Sequence, residues 1–197
     1  MSFLVSRRTR NEQQPSGPGS RVVLARAASR IGYTAALLPA SVATLGAVAA
    51  GRADRARAWW ARAAGQQPAA LSSARQPGTW RLLAHALLCV PLGLLALIPV
   101  GIEVLFVLRG VFYGLVDQGP YDHSWGGPSL AGAWIVHFLV ALPFAAAALG
   151  ALWLLGGLHA RLAGGMWGRR VGWGPVLALL LSSAAGIVLV IAWIHQL

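Results

Sequence analysis

Three stretches of this chain, residues 82–108, 130–158 and 171–194, are long and apolar enough to be membrane spans. A helix needs about 20 apolar residues to cross roughly 30 Å of hydrocarbon. A bilayer offers backbone N–H and C=O groups no partner, so such a run must satisfy them internally as helix. A fourth stretch, 31–50, is long enough but weaker, being rich in Ala, Thr and Ser with Pro39 in its middle. It is expected to be membrane-embedded, with crossing left open. Of the 197 residues, 57% are hydrophobic and 11% charged, outside the balance of a soluble domain. The expected fold is all-α: a polytopic helical membrane protein with about four membrane-embedded helices.

Charge orients these spans. The net charge of +11 comes from Arg alone, since the chain has no lysine, and the Arg fall in blocks beside apolar runs. That suits membrane flanks, and no nucleic-acid partner is expected. Residues 51–81 carry Arg52, Arg55, Arg57, Arg62, Arg75 and Arg81, and residues 159–170 carry Arg161, Arg169 and Arg170. Both loops are expected to be cytoplasmic, which puts loop 117–129 and the C-terminus outside. Trp80, Trp167 and Trp173 then fall at inner helix ends, and Trp125, Trp134 and Trp193 at outer ones, as interfacial rings prefer.

Four regions are expected: an Arg-containing disordered tail over 1–20; a first membrane segment with a basic interfacial helix over 21–66; a transmembrane hairpin over 67–168; and a further C-terminal helix over 169–197. No secretory signal is evident in MSFLVSRRTR. The first segment has six Arg before it and six after it, so it either translocates one basic flank or returns to the same side as a re-entrant hairpin. The likeness of GYTAALLPASVATL (32–45) to LAHALLCVPLGLLAL (83–97) suggests a degenerate hairpin repeat. Within 52–65, Arg is interleaved with Trp59 and Trp60, which suits a helix lying in the interface; an ordinary connecting helix is the alternative.

HSWGGPSLAGAW (123–134) looks at first like a phosphate loop, but no Gly-Lys-Ser/Thr follows the glycines. It is better read as the outer turn of the hairpin. Gly126, Gly127 and Pro128 reverse the chain, and Ser129 caps the next helix. Together with PGTWRLLAHALLCVPLGLLALIPVGIEVLF (77–106) and LGGLHARLAGGMWG (155–168), this turn resembles the membrane-embedded sensor domain that precedes histidine kinase modules in actinobacteria. The Arg-only, Ala- and Gly-rich composition, expected of a GC-rich coding sequence, fits such a source. The resemblance implies a signalling role, and because no kinase follows in the chain, a partner in trans.

The candidate ligand- or partner-binding residues are Asp117, Tyr121, Asp122, His123 and Trp125 in the outer loop, with Glu103 and Arg109 at the edge of a span, where charge is costly enough to suggest function. Six positions apart, Glu103 and Arg109 do not share a helix face; Glu103 either meets a partner on another helix or a polar cavity open to the outside, or touches water because the span ends near residue 102. Of the five His, His123, His137 and His195 fall toward the outer face and are weak metal candidates. His85 and His159 fall near the inner face, where a haem between helices is the corresponding idea. No HxxxH, ExxH or CxxC spacing supports either. Cys89 stands alone in an apolar run, so no internal disulfide forms. Small residues such as Ser182 and Gly186 permit close packing, including self-association into a homo-oligomer. The expectation is a sensor-like or accessory protein with no enzymatic activity and no cofactor, its partners being the lipid bilayer and a signalling protein such as a histidine kinase. The alternatives are a membrane redox or metal-handling subunit and a small transporter subunit.

Overall fold

The computed structural model describes residues 19–63, 77–166, 170 and 172–196. Among them the chain is helical without strands: α1 (Ser20–Ala35), α2 (Leu37–Ala49), α3 (Ala53–Ala63), α4 (Thr79–Phe106), a π-turn (Val107–Val111), a short α5 (Tyr113–Val116), α6 (Leu130–Met166) and α7 (Trp173–Ile194). The all-α polytopic fold is therefore present. Three elements are long and apolar enough to cross a membrane, Thr79–Val111, Leu130–Gly165 and Trp173–Ile194, and a fourth is added if α1 and α2 count as one broken span.

The first membrane segment begins earlier than its apolar run and breaks where its proline requires. α1 starts at Ser20, inside the stretch expected to be a disordered tail; residues 1–18 lie outside the described residues, as do Arg75, Trp167 and Arg169. Pro39 has no N–H to give the preceding turn, and its ring obstructs a continuous helix. The chain bends by 57° between α1 and α2, and Pro39 sits in the first turn of α2, where a missing donor costs least. Buried hydroxyls nearby are all satisfied locally: Thr34, Ser41 and Thr44 donate to the carbonyls of Arg30, Leu37 and Ala40. By contrast, α4 continues through Pro91 and Pro99, and α6 through Pro143.

α4 and α6 form the central antiparallel pair, with α1 packed on α6, α2 on α4, and α7 against both. Close approach of α2 to α4 depends on Gly93, where a Cβ would lie 2.6 Å from the backbone nitrogen of Leu38. Gly186 faces the Leu95 side chain of α4, which a Cβ there would displace. This small-residue position of α7, read from sequence as permitting close helix packing, is used inside the bundle. The core sits at the Arg-rich end, where Leu37, Trp60, Leu82, Cys89, Leu92, Leu162 and Leu179 meet. Trp60 is 1% exposed and donates its indole N–H to Thr44 Oγ1 at 2.8 Å. It therefore packs into protein rather than into lipid as an interfacial reading of α3 supposes. Arg57 of α3 pairs with Asp54 and also donates to the Pro77 carbonyl and Thr79 Oγ1, fastening α3 to the start of α4.

Outward faces of the long helices stay apolar: Leu87, Leu94 and Leu105 of α4, Leu139, Phe144 and Leu154 of α6, and Leu180, Val188 and Leu189 of α7 are each more than half exposed. An apolar circumference of this extent is unfavourable in water and natural in lipid. Trp80 and Trp173 are exposed at one end, and Trp125 and Trp193 at the other, matching two interfacial belts.

Gly93→Ala should lower stability by about 1–3 kcal/mol, because α2 must move away from α4. Gly101→Ala, at a position with open space around its Cβ, should leave stability unchanged or slightly raised. Thermal unfolding of the two variants in the same detergent checks the contrast.

Candidate functional site

The end of the bundle opposite the Arg-rich core is built by the π-turn, α5, the 117–129 loop and the start of α6. After Phe106 the helix widens into the π-turn, which carries Arg109; such turns recur at functional sites. Carbonyls loosened from the α-helical ladder find a partner in Trp134, whose indole N–H donates to Gly110 O at 3.0 Å and Val111 O at 3.2 Å. The helix runs on past residue 102 to Val111, the wider turn letting it continue with its carbonyls paired. Glu103 is thus inside the element, with one carboxylate oxygen buried and unpartnered among the described residues. No Glu103–Arg109 ion pair forms among those residues.

The loop folds on its own hydrogen bonds. Gly119 N–H donates to Asp117 Oδ1 and Tyr121 O–H to the Asp117 carbonyl. Ser124 Oγ accepts from Gly126 N–H, and the Ser124 carbonyl from Gly127 N–H. Gly127 has a φ of +85°, open to glycine at little cost. Gly126 and Gly132 meet backbone to backbone with no space for a Cβ on either. Ser129 Oγ accepts from Gly132 N–H at 3.2 Å, the N-cap geometry its sequence position predicts. Trp134 lies half-buried against the π-turn, so it serves as a structural donor as well as standing at the helix end.

Between these elements lies a cleft of about 720 Å³. One part of its lining is apolar, from Ile102, Leu105 and Phe106 of α4 and Val136, Val140 and Phe144 of α6, with Leu105 and Phe144 at the lipid-exposed edge; the other part is polar, from Arg109, Asp117, Tyr121, His123 and Ser124, with Trp125 beside them. Five of the sequence candidates, Arg109, Asp117, Tyr121, His123 and Trp125, thus converge on one cavity, whereas Glu103 and Asp122 are not among its lining residues. His137 also lines it. Its Nδ1–H donates to the Ala133 carbonyl at 2.8 Å, and its ring stacks on Tyr113 with centroids 4.0 Å apart. Burial and the nearby Asp117 carboxylate push the Tyr113 phenol above its ordinary value, keeping it protonated. The three outer His do not form a metal cluster among the described residues, because His195 caps the far end of α7 and is not part of the cleft.

A second constellation occupies the Arg-rich end. His85 and Cys89 of α4 and His159 of α6 are buried, and their candidate ligand atoms lie within 4.8 Å of one another. Nε2 of His85 is 3.3 Å from Nε2 of His159 and 3.5 Å from Sγ of Cys89. Tyr33 Oη is 3.4 Å from His159 Nε2, and the Trp60 ring packs on both imidazoles. Sequence reasoning placed the two His on one side of the membrane but passed over Cys89. The available signal was the spacing His85-x-x-x-Cys89, which puts both side chains on one helix face. Facing at contact distance, the imidazoles leave no room for a macrocycle between them, so the haem arrangement does not fit.

No protein-family model, curated protein or solved structure matches this chain.

Trp134→Phe keeps the ring but removes the donor to Gly110 and Val111. The variant should lose about 0.5–1.5 kcal/mol and expose the π-turn amides to exchange. Hydrogen–deuterium exchange over residues 107–116, faster in the variant and unchanged at the Arg-rich end, is the expected result.

Proposed function

We propose that this protein is a sensor-like or accessory membrane protein that binds an anionic amphiphile in the cleft and relays its occupancy to a partner in trans. The single observation that carries this reading is the cleft itself. It joins an apolar wall on α4 and α6 to a polar mouth carrying Arg109, His123 and Asp117, the last engaged by the Gly119 N–H of its own loop, a division that suits an acyl-type tail and a charged head. With the Arg-rich loops cytoplasmic by the positive-inside rule, the mouth faces outward. His85 and Arg109 are 24 positions apart along one element, about 36 Å of helix. The helices that line the cleft therefore also build the opposite end of the bundle, where α3 and the basic segments are placed to meet a partner. The resemblance to kinase-linked sensor domains supports a signalling protein such as a histidine kinase as that partner.

A dansyl-labelled undecanoic acid, titrated into lipid nanodiscs containing the protein, tests the reading. Saturable binding of one probe per chain beyond that of empty discs is expected. Arg109→Gln should weaken it about tenfold, Ala141→Trp should block it by filling the cleft, which Ala141 of α6 also lines, and Arg161→Gln at the other end should leave it unchanged. Uptake equal to that of empty discs, or insensitive to Ala141→Trp in a variant of unaltered helical content, would overturn the proposal.

A further inference from the structure

The geometry at the Arg-rich end points to a site unrelated to the cleft: we propose that His85, Cys89 and His159 bind one soft metal ion, Cu(I), within the membrane-embedded bundle. The two separations from His85 fit shared coordination. Metal–nitrogen bonds of about 2.05 Å and a metal–sulfur bond of about 2.3 Å, at tetrahedral to trigonal angles, set nitrogens about 3.3–3.5 Å apart and nitrogen from sulfur about 3.6–3.8 Å. The corresponding distances from His85 Nε2 are 3.3 Å to His159 Nε2 and 3.5 Å to Cys89 Sγ, and the remaining pair, Cys89 and His159, has its ligand atoms within 4.8 Å, which a small side-chain rotation on metal binding closes.

Hydrogen bonding alone does not satisfy every contact in the cluster. An imidazole nitrogen carries either one proton or one lone pair. The Cys89 sulfur lies 3.5 Å from Nε2 and 4.0 Å from Nδ1 of His85, while His159 Nε2 faces both His85 Nε2 and Tyr33 Oη. His159 Nε2 therefore has one proton or one lone pair for two neighbours. A cation held by the two imidazoles and the thiolate replaces these hydrogen bonds, with the thiol proton released to solvent as the metal–sulfur bond forms.

Charge selects the ion. No carboxylate belongs to the cluster. Arg30, one turn before Tyr33 on α1, packs over the Trp153 ring at 4.5 Å and against Gly157, two residues before His159. One thiolate and two neutral imidazoles carry a single negative charge, which Cu(I) neutralises. Zn(II) leaves an uncompensated positive charge in an apolar interior beside Arg30, an unfavourable arrangement. Thiolate and imidazole are also the ligands that suit Cu(I). Trp60, almost wholly buried over both His rings, shields the site from water and oxidant.

The untagged full-length protein, reduced and anaerobic in detergent, is titrated with Cu(I) against bicinchoninate, and the complex is examined by copper K-edge absorption. One Cu(I) per chain with one sulfur and two nitrogen scatterers is expected. Cys89→Ser should weaken binding on the order of 100-fold through loss of the thiolate, while His195→Ala leaves it unchanged; circular dichroism and gel filtration establish that both variants are folded. The proposal is overturned by absence of binding to the wild type, by full affinity in both Cys89→Ser and His159→Gln, or by displacement of the copper with equimolar Zn(II).

Discussion

α4 and α6 run antiparallel in contact over most of their length, and the other helices are arranged on that pair. Their pairing is maintained by different chemistry at each level. At the Arg-rich end it is the facing imidazoles of His85 and His159 beneath Trp60; toward the loop it is Phe106 against Phe138, with centroids 5.7 Å apart; at the π-turn it is the Trp134 indole bonded to main-chain carbonyls. Lipid contributes no hydrophobic force between helices, so van der Waals fit and buried hydrogen bonds must hold them. This explains why small residues stand where helices come closest, Gly93 beneath Leu38 and Gly186 beneath Leu95. Both proposed sites are products of this pair: a cleft where a π-turn and a loop spread it apart, and a buried ligand cluster where three side chains fill it.

Much of this was legible in the sequence, for identifiable reasons. The three spans are written in uninterrupted apolar runs, and a bilayer leaves such runs little freedom. The loop was legible because turn chemistry is local: Gly127 at positive φ and Ser129 bonded to Gly132 N–H are where their neighbours in sequence place them. Convergence of Arg109, Asp117, Tyr121, His123 and Trp125 on one cavity follows from the same locality, since all lie within one hairpin turn.

What was not legible depends on partners distant in sequence. Trp60 resembles an interfacial anchor by composition, and only the packing of α3 under α2 buries it against Thr44 and His85. The role of Cys89 needs α6 to bring His159 to it across 70 residues of chain. The start of α1 at Ser20 lies outside any apolar run, and the break at Ala36 shows how a single proline divides a segment that hydropathy alone reads as one. Continuation of α4 past Glu103 into a π-turn carries no sequence signature, because the turn is stabilised by Trp134 from the opposite helix.

The proposed relay requires that this helix pair present its cleft on the outer side of a membrane and its basic end inside. Site-directed thiol labelling tests it most directly, because the native Cys89 is fully buried and should stay silent. Asp122→Cys and Arg161→Cys place thiols at exposed positions on the two ends. In intact cells a membrane-impermeant maleimide should label Asp122→Cys alone, with Arg161→Cys reacting only after permeabilisation. Labelling of Arg161→Cys in intact cells, with Asp122→Cys protected, would contradict the account.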